Sequence, residues 1–138
     1  MDFPVVVPFV EHLGVQLAAV DKDGCVLTMA PLDEHLNSHG VTHGGVLMTL
    51  LDVAMATAAR SGKAEVGVVT IEMKTSFMQP ARGLLRAEAL VKLRTTNMAF
   101  TEGTVFDSHN RACAHATGTF KFVRPASHST AGSPVVTD

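Results

Sequence analysis

Residues 35–62 read HLNSHGVTHGGVLMTLLDVAMATAARSG. The segment opens with Asn, His, Ser and Gly and then passes into an apolar run that carries a single carboxylate, Asp52. Val46, Leu47, Leu50, Leu51, Ala54, Met55 and Ala58 recur at spacings of three and four, which predicts a helix from Gly45 to about Arg60. Met48, Val53 and Ala56 fill most of the remaining positions, so the helix is expected to be buried nearly all round. Arg60, Ser61 and Gly62 supply its stop.

Outward from that helix the pattern changes to alternation. On its N-terminal side, a short helix is expected over Phe9–Leu13, ending at Gly14. VQLAAVDKDGCVLTMAPL then reads as two strands joined at Asp-Lys-Asp-Gly. DEHLNSHGVTHGG lacks periodicity and is read as irregular loop. After the helix come four strand-like runs: VGVVTIEMKTSFM, LLRAEALVKLR, MAFTEGTVFDS and ACAHATGTFKFV. Two strands, one long helix and four strands fit one layer of sheet against one helix, an α+β fold. The connections after the helix are too short for crossovers, so the sheet is expected to be antiparallel. One domain is expected over 1–124, with a disordered tail over 125–138, where core residues are sparse.

Composition narrows the function. Apolar residues are 46% of 138 and charged residues 17%, more core material than a domain of this length buries by itself. Part of the apolar surface is therefore expected to lie against another subunit. A net charge near −2 with no basic stripe speaks against nucleic acid. No apolar run is long enough to span a bilayer, and MDFPVVVPFVEHLG does not read as a signal peptide. Cys25 and Cys113 form no disulfide framework and lack metal-ligand spacing, which suits two reduced thiols in the cytoplasm. His39 and His43 lie four apart, but no third ligand follows, and no metal is expected.

Gly44 and Gly45 stand where loop becomes helix. Amides there lack intrahelical acceptors, carry the positive end of the dipole, and can meet a carbonyl oxygen that gains charge. The same pair would also serve as a small-residue start to a helix. Asp52, inside an apolar helix, must find donors or lose its charge, so it serves a partner, a reaction or a structural contact. Gly44 and Asp52 are eight residues apart, about 12 Å along one helix. A base and an oxyanion donor must both lie within about 3 Å of the reacting group. One helix does not reach both; two antiparallel helices across a two-fold axis do. A homodimer with shared active sites follows, and the excess of apolar residues agrees with it.

The pattern N-x-x-G-x-x-H-G-G, an Asp nine residues after the His, and a downstream TIEM resemble the hotdog-fold acyl-CoA thioesterases, in particular the PaaI-type branch. The likeness runs from about Leu13 to Val123. It implies an antiparallel sheet wrapped around one long central helix and hydrolysis of an acyl-CoA to acid and CoA without a cofactor. It implies a homodimer, extended to a homotetramer. By position, it implies Asp52 as base or nucleophile, Gly44 N–H as oxyanion donor, Asn37 as support for the carbonyl or His43, and Thr70 as the residue that positions water. His43 and Gly45 would border the substrate. Arg94 and Thr95 lie in a turn where such enzymes contact CoA phosphates, with Arg82 and Lys74 as other candidates. Phe77, Met98 and Phe100 would line an acyl pocket or pack in the core. Two competing functions are a hotdog dehydratase or hydratase of 3-hydroxyacyl thioesters, and a non-catalytic acyl-CoA-binding module. The acyl group, aromatic or aliphatic, is not readable.

Overall fold

The computed structural model describes residues 1–63 and 65–125. Except for Pro125, the expected tail lies outside the described residues. A short helix α1 (Pro8–Leu13) begins on proline, whose missing N–H costs nothing in a first turn. It ends at Gly14 in the left-handed conformation, φ 73°. Strands β1 (Gln16–Asp21) and β2 (Gly24–Met29) form a hairpin whose turn puts Asp23 at φ 72°. The following loop is less irregular than its sequence suggests. Asp33–His35 make a single 3₁₀ turn, closed by the Leu32 N–H donating to His35 Nδ1 at 2.9 Å.

The central helix α2 runs Gly44–Arg60, one residue earlier than its apolar periodicity indicates. Four strands follow: β3 (Gly67–Phe77), β4 (Leu85–Arg94), β5 (Met98–Phe106) and β6 (Ala112–Val123). All strand pairs are antiparallel, in the order β1-β2-β4-β5-β6-β3. This is the expected hotdog: one six-stranded sheet curled around α2. The helix carries the chain from β2, the second strand of the sheet, to its far edge, so β3 pairs on one side only among the described residues.

The core is the contact between α2 and the concave face. Leu50, Leu51, Ala54, Met55 and Ala58 are at most 1% exposed and meet Leu27, Ala87, Val105 and Phe120, themselves at 0%. Each large side chain so buried contributes about 2 kcal/mol. The helix can settle this deeply because glycines lie beneath it. A Cβ on Gly103 would come within 3.3 Å of Leu51, and one on Gly118 within 3.0 Å of Met55 and 3.1 Å of the Phe120 ring. Cys25 and Cys113 are buried free thiols, and burial pushes Cys25 up to about 12.

The expectation of burial all round α2 needs correction. Gly44, Met48, Asp52, Ala56 and Arg60 form one row of positions four apart, and no member of it is buried. Every other such row in α2 contains a buried residue. The helix therefore presents one continuous open ridge along its length.

Candidate active site

The loop before α2 is held by its own side chains. Asn37 Oδ1 accepts from His39 N–H (2.8 Å) and Val41 N–H (3.3 Å), and Asn37 N–H donates to the Val41 carbonyl (2.8 Å). His43 N–H donates to the His35 carbonyl at 2.9 Å, and Thr42 N–H to the Ala81 carbonyl at 3.1 Å. His43 is then the helix N-cap: its Nδ1 accepts from Gly45 N–H at 2.8 Å. That bond leaves the Nδ1 lone pair occupied and satisfies the second amide of the helix rather than the first. Gly44 N–H, at the positive end of α2, has no acceptor among the described residues. A side chain on Gly44 would run into Phe77, whose Cε1 would lie 3.2 Å from the added Cβ.

Two turns along, Asp52 is half-buried and its Oδ1 accepts from the Thr70 hydroxyl at 2.7 Å. Burial raises the Asp52 pKa above the ordinary carboxylate value, and the Thr70 bond partly offsets this by favouring the charged form. Thr70 and Phe77 are an odd number of residues apart, which on a regular strand would place them on opposite faces. A bulge resolves this. Thr70 pairs with Phe120 and Glu72 with Thr119, so Ile71 is the extra residue. Both Thr70 and Phe77 thereby face α2, one against Asp52 and the other against Gly44.

Other sequence-selected residues fall elsewhere. Arg94 lies at the opposite end of α2 from Gly44. Its guanidinium donates to the carbonyls of Ala58 (3.2 Å), Ala59 and Ser61 (3.1 Å), and to Asp23 Oδ1 at 2.8 Å. All three of its nitrogens are committed to capping the helix and anchoring the β1–β2 turn. The expected phosphate contact at Arg94 therefore competes with the fold. Thr95 closes the β4–β5 turn, its Oγ1 accepting from Met98 N–H at 3.0 Å. Met98 and Phe100 alternate with buried Ala99 and Thr101, so they lie on the sheet face away from α2, neither core nor beside the helix. Residues not singled out in the sequence occupy the site's surroundings instead. A cavity of about 460 Å³ lies beside the start of α2, between apolar Phe9, Leu36 and Val46 and polar His12, Glu34 and His35, with His43 and Gly45 also on its lining. No cluster of potential metal ligands occurs among the described residues, and no described helix is long and apolar enough to cross a membrane.

The family model for the thioesterase superfamily matches residues 39–114, which span the end of the loop, α2 with Asp52, strands β3 to β5 and the start of β6. The chain belongs to the thioesterase superfamily. Among relatives of this superfamily member, a proposed esterase of Halobacterium salinarum is 33% identical over 112 residues, 76% of this chain and 74% of that one. A thioesterase family protein from Silicibacter pomeroyi superposes with a TM-score of 0.81 at 25% identity, covering 86% of this chain and 90% of the other. The E. coli PaaI protein of the phenylacetic acid degradation operon superposes at 0.78 with 24% identity, covering 83% of each chain, a likeness of fold. The chain is thus a hotdog protein of the thioesterase superfamily with a PaaI-like fold.

Proposed function

We propose that the protein is an acyl-CoA thioesterase, active as a homodimer in which each site draws on two copies of α2. The observation that carries this reading is Asp52: a half-buried carboxylate on the one ridge of α2 that has no buried member, with a hydroxyl 2.7 Å from it. An ionised carboxylate only accepts, so the Thr70 proton lies toward Oδ1 and the Thr70 lone pairs are free to accept from a water beside the carboxylate. Asp52 takes a proton from that water as its oxygen attacks the thioester carbon. The carbonyl oxygen gains charge and is met by Gly44 N–H of a second copy. Collapse of the intermediate breaks the C–S bond, and the thiolate recovers the proton from Asp52. Asn37 and His43 hold the loop that aims the Gly44 amide, and Gly45 borders the acyl group.

Two features support the dimer. Antiparallel packing of two ridges with Gly44 opposite Asp52 places Met48 on the two-fold axis, and Met48 is 39% exposed in the single chain. Beside it, β3 leaves an eleven-residue edge with Ile71 and Phe77 each 53% exposed, an edge that another β3 can cover. The homotetramer and the cytoplasmic setting are further parts of the same reading, and free buried Cys25 and Cys113 accord with the latter. The acyl group fits the cavity beside α2, whose volume is that of a small-molecule site.

The test is thiol release from a panel of aromatic and aliphatic CoA esters by wild type and Asp52→Asn. Hydrolysis by the wild type alone, with CoA esters still bound by the variant, supports the reading. Undiminished turnover in Asp52→Asn overturns it.

A further inference from the structure

Arg60 ends the open ridge of α2 and has a setting that the mechanism above does not use. It is half-buried, yet no described residue accepts a hydrogen bond or forms an ion pair with its guanidinium. A cation in the last turn ordinarily serves the helix carbonyls. Here that duty is taken: Arg94 occupies the carbonyls of Ala58, Ala59 and Ser61. Lys63, the next cation along the chain, lies over the Phe122 ring at 4.1 Å. Burial lowers the Arg60 pKa, the mark of a charge kept out of water without a counter-charge.

Its distance from the reaction centre is set by the helix. Arg60 follows Asp52 by eight residues in the same row, about 12 Å at the α-helical rise. A thioester carbon beside Asp52 leaves its thiol arm to run along this ridge, past the small Ala56. In the two-fold arrangement the partner helix begins opposite Asp52, so Ala56 and Arg60 lie beyond its start. Pantetheine has twelve bonds from its sulfur to its far oxygen, a reach of about 14 Å at the extended-backbone advance of about 1.2 Å per bond, which the helix separation and the length of the Arg60 side chain together cover. Its far end carries the diphosphate in CoA and a bare hydroxyl in free pantetheine.

We propose that Arg60 receives the diphosphate of CoA on the subunit that supplies Asp52, and so makes the enzyme selective for CoA thioesters over phosphate-free pantetheine thioesters. The proposal rests on the hydrolase reading for the position of the thioester. A guanidinium offers paired donors that match phosphate oxygens, and the ridge gives it a fixed separation from the carboxylate.

The experiment uses one acyl group on two carriers: hexanoyl-CoA and hexanoyl-pantetheine, with wild type, Arg60→Gln and Arg60→Lys. The ratio of kcat/KM for the CoA ester to that for the pantetheine ester falls about tenfold in Arg60→Gln, through KM for the CoA ester, and recovers in part in Arg60→Lys. A structural role would lower both carriers together and leave the ratio unmoved, which overturns the proposal. Calorimetric titration of CoA itself gives a second measurement independent of turnover: Kd rises about tenfold in Arg60→Gln. If the wild type hydrolyses neither ester, the hydrolase reading falls, and the titration alone decides Arg60. Equal CoA affinity in wild type and Arg60→Gln then overturns the assignment.

Discussion

Replacement of Asp52 by Asn separates what the carboxylate does for the reaction from what it does to the fold, because the two effects have opposite signs. Asn keeps an Oδ1 that accepts from Thr70 in the place where Asp52 now accepts at 2.7 Å, so geometry is retained and only the proton-accepting charge is removed. Loss of a general base costs 10²- to 10⁴-fold in kcat, about 3–5 kcal/mol at 1.36 kcal/mol per decade. Stability moves the other way. Burial raises the Asp52 pKa in the folded state above its unfolded value, so the native protein binds this proton more tightly than the unfolded chain. The stabilisation from that proton is complete below the unfolded pKa, near 3.9, and is lost as pH rises through the higher native value. At pH 7 the wild type therefore carries a partly desolvated charge that the Asn variant lacks. The variant melts higher at pH 7, by about 3–5 °C for each kcal/mol relieved, and the gap closes as pH falls through the raised native value toward about 4. Thermal unfolding of both proteins from pH 3.5 to 8, with thiol release over the same range, reads both effects. Wild-type kcat/KM rises with pH to a plateau, with a midpoint above the ordinary Asp value. A variant that melts lower at pH 7 would make Asp52 a structural acid and refute the reasoning.

Thr70→Val removes the hydroxyl at constant volume: kcat/KM falls about tenfold, and the pH–rate midpoint moves up, since the lost bond is one that lowers the Asp52 pKa. Gly44→Ala puts a methyl 3.2 Å from Phe77 Cε1 and costs about 1 kcal/mol in unfolding free energy with a larger fall in kcat; adding Phe77→Leu restores the melting temperature. Arg94→Met strips the carbonyls of Ala59 and Ser61 of their donor and leaves Asp23 unpaired, lowering stability by about 2 kcal/mol in denaturant titration. Its KM for a CoA ester stays at the wild-type value, whereas a phosphate contact at Arg94 would raise it. Met48→Glu sets two acids against each other at the two-fold axis; sedimentation equilibrium shows monomers and thiol release is lost together with the dimer.

Much of this arrangement is written in local pattern. The three- and four-residue spacing of Leu47, Leu50, Leu51, Ala54, Met55 and Ala58 gives α2 to within a residue, because those positions are the ones that meet the sheet. Leu85, Ala87 and Ala89 alternate in β4 for the same reason. The pairing of Asp52 with Thr70 is suggested by family likeness, but its geometric cause is not local. It needs the Ile71 bulge, and nothing in VVTIEM marks which residue is extra until β6 sits alongside and fixes the register at Phe120 and Thr119. The partners that Arg94 has in this fold are hidden from the sequence for a related reason. Its neighbours Thr95, Thr96 and Asn97 read as an exposed polar turn, while its partners at Ala58, Ala59 and Ser61 are 33 to 36 residues away. Phe100 reads as core by composition, yet its parity on β5 turns it outward.

The open ridge is the clearest case of function hidden within a fold signal. Counted by hydrophobicity, Gly44, Met48 and Ala56 look like core, so the helix seems to lack a polar face and Asp52 looks isolated. Counted by size and spacing, the same residues form a row that is small or flexible throughout, flanking one acid and ending in one cation that no described residue pairs with. Small side chains let a neighbouring backbone come close, the acid can stay charged only with donors nearby, and the terminal cation calls for an anion. A ridge built for burial within its own chain would have no use for the acid or the cation. One built to receive a second helix and a charged substrate needs both, at a separation fixed by the helix itself.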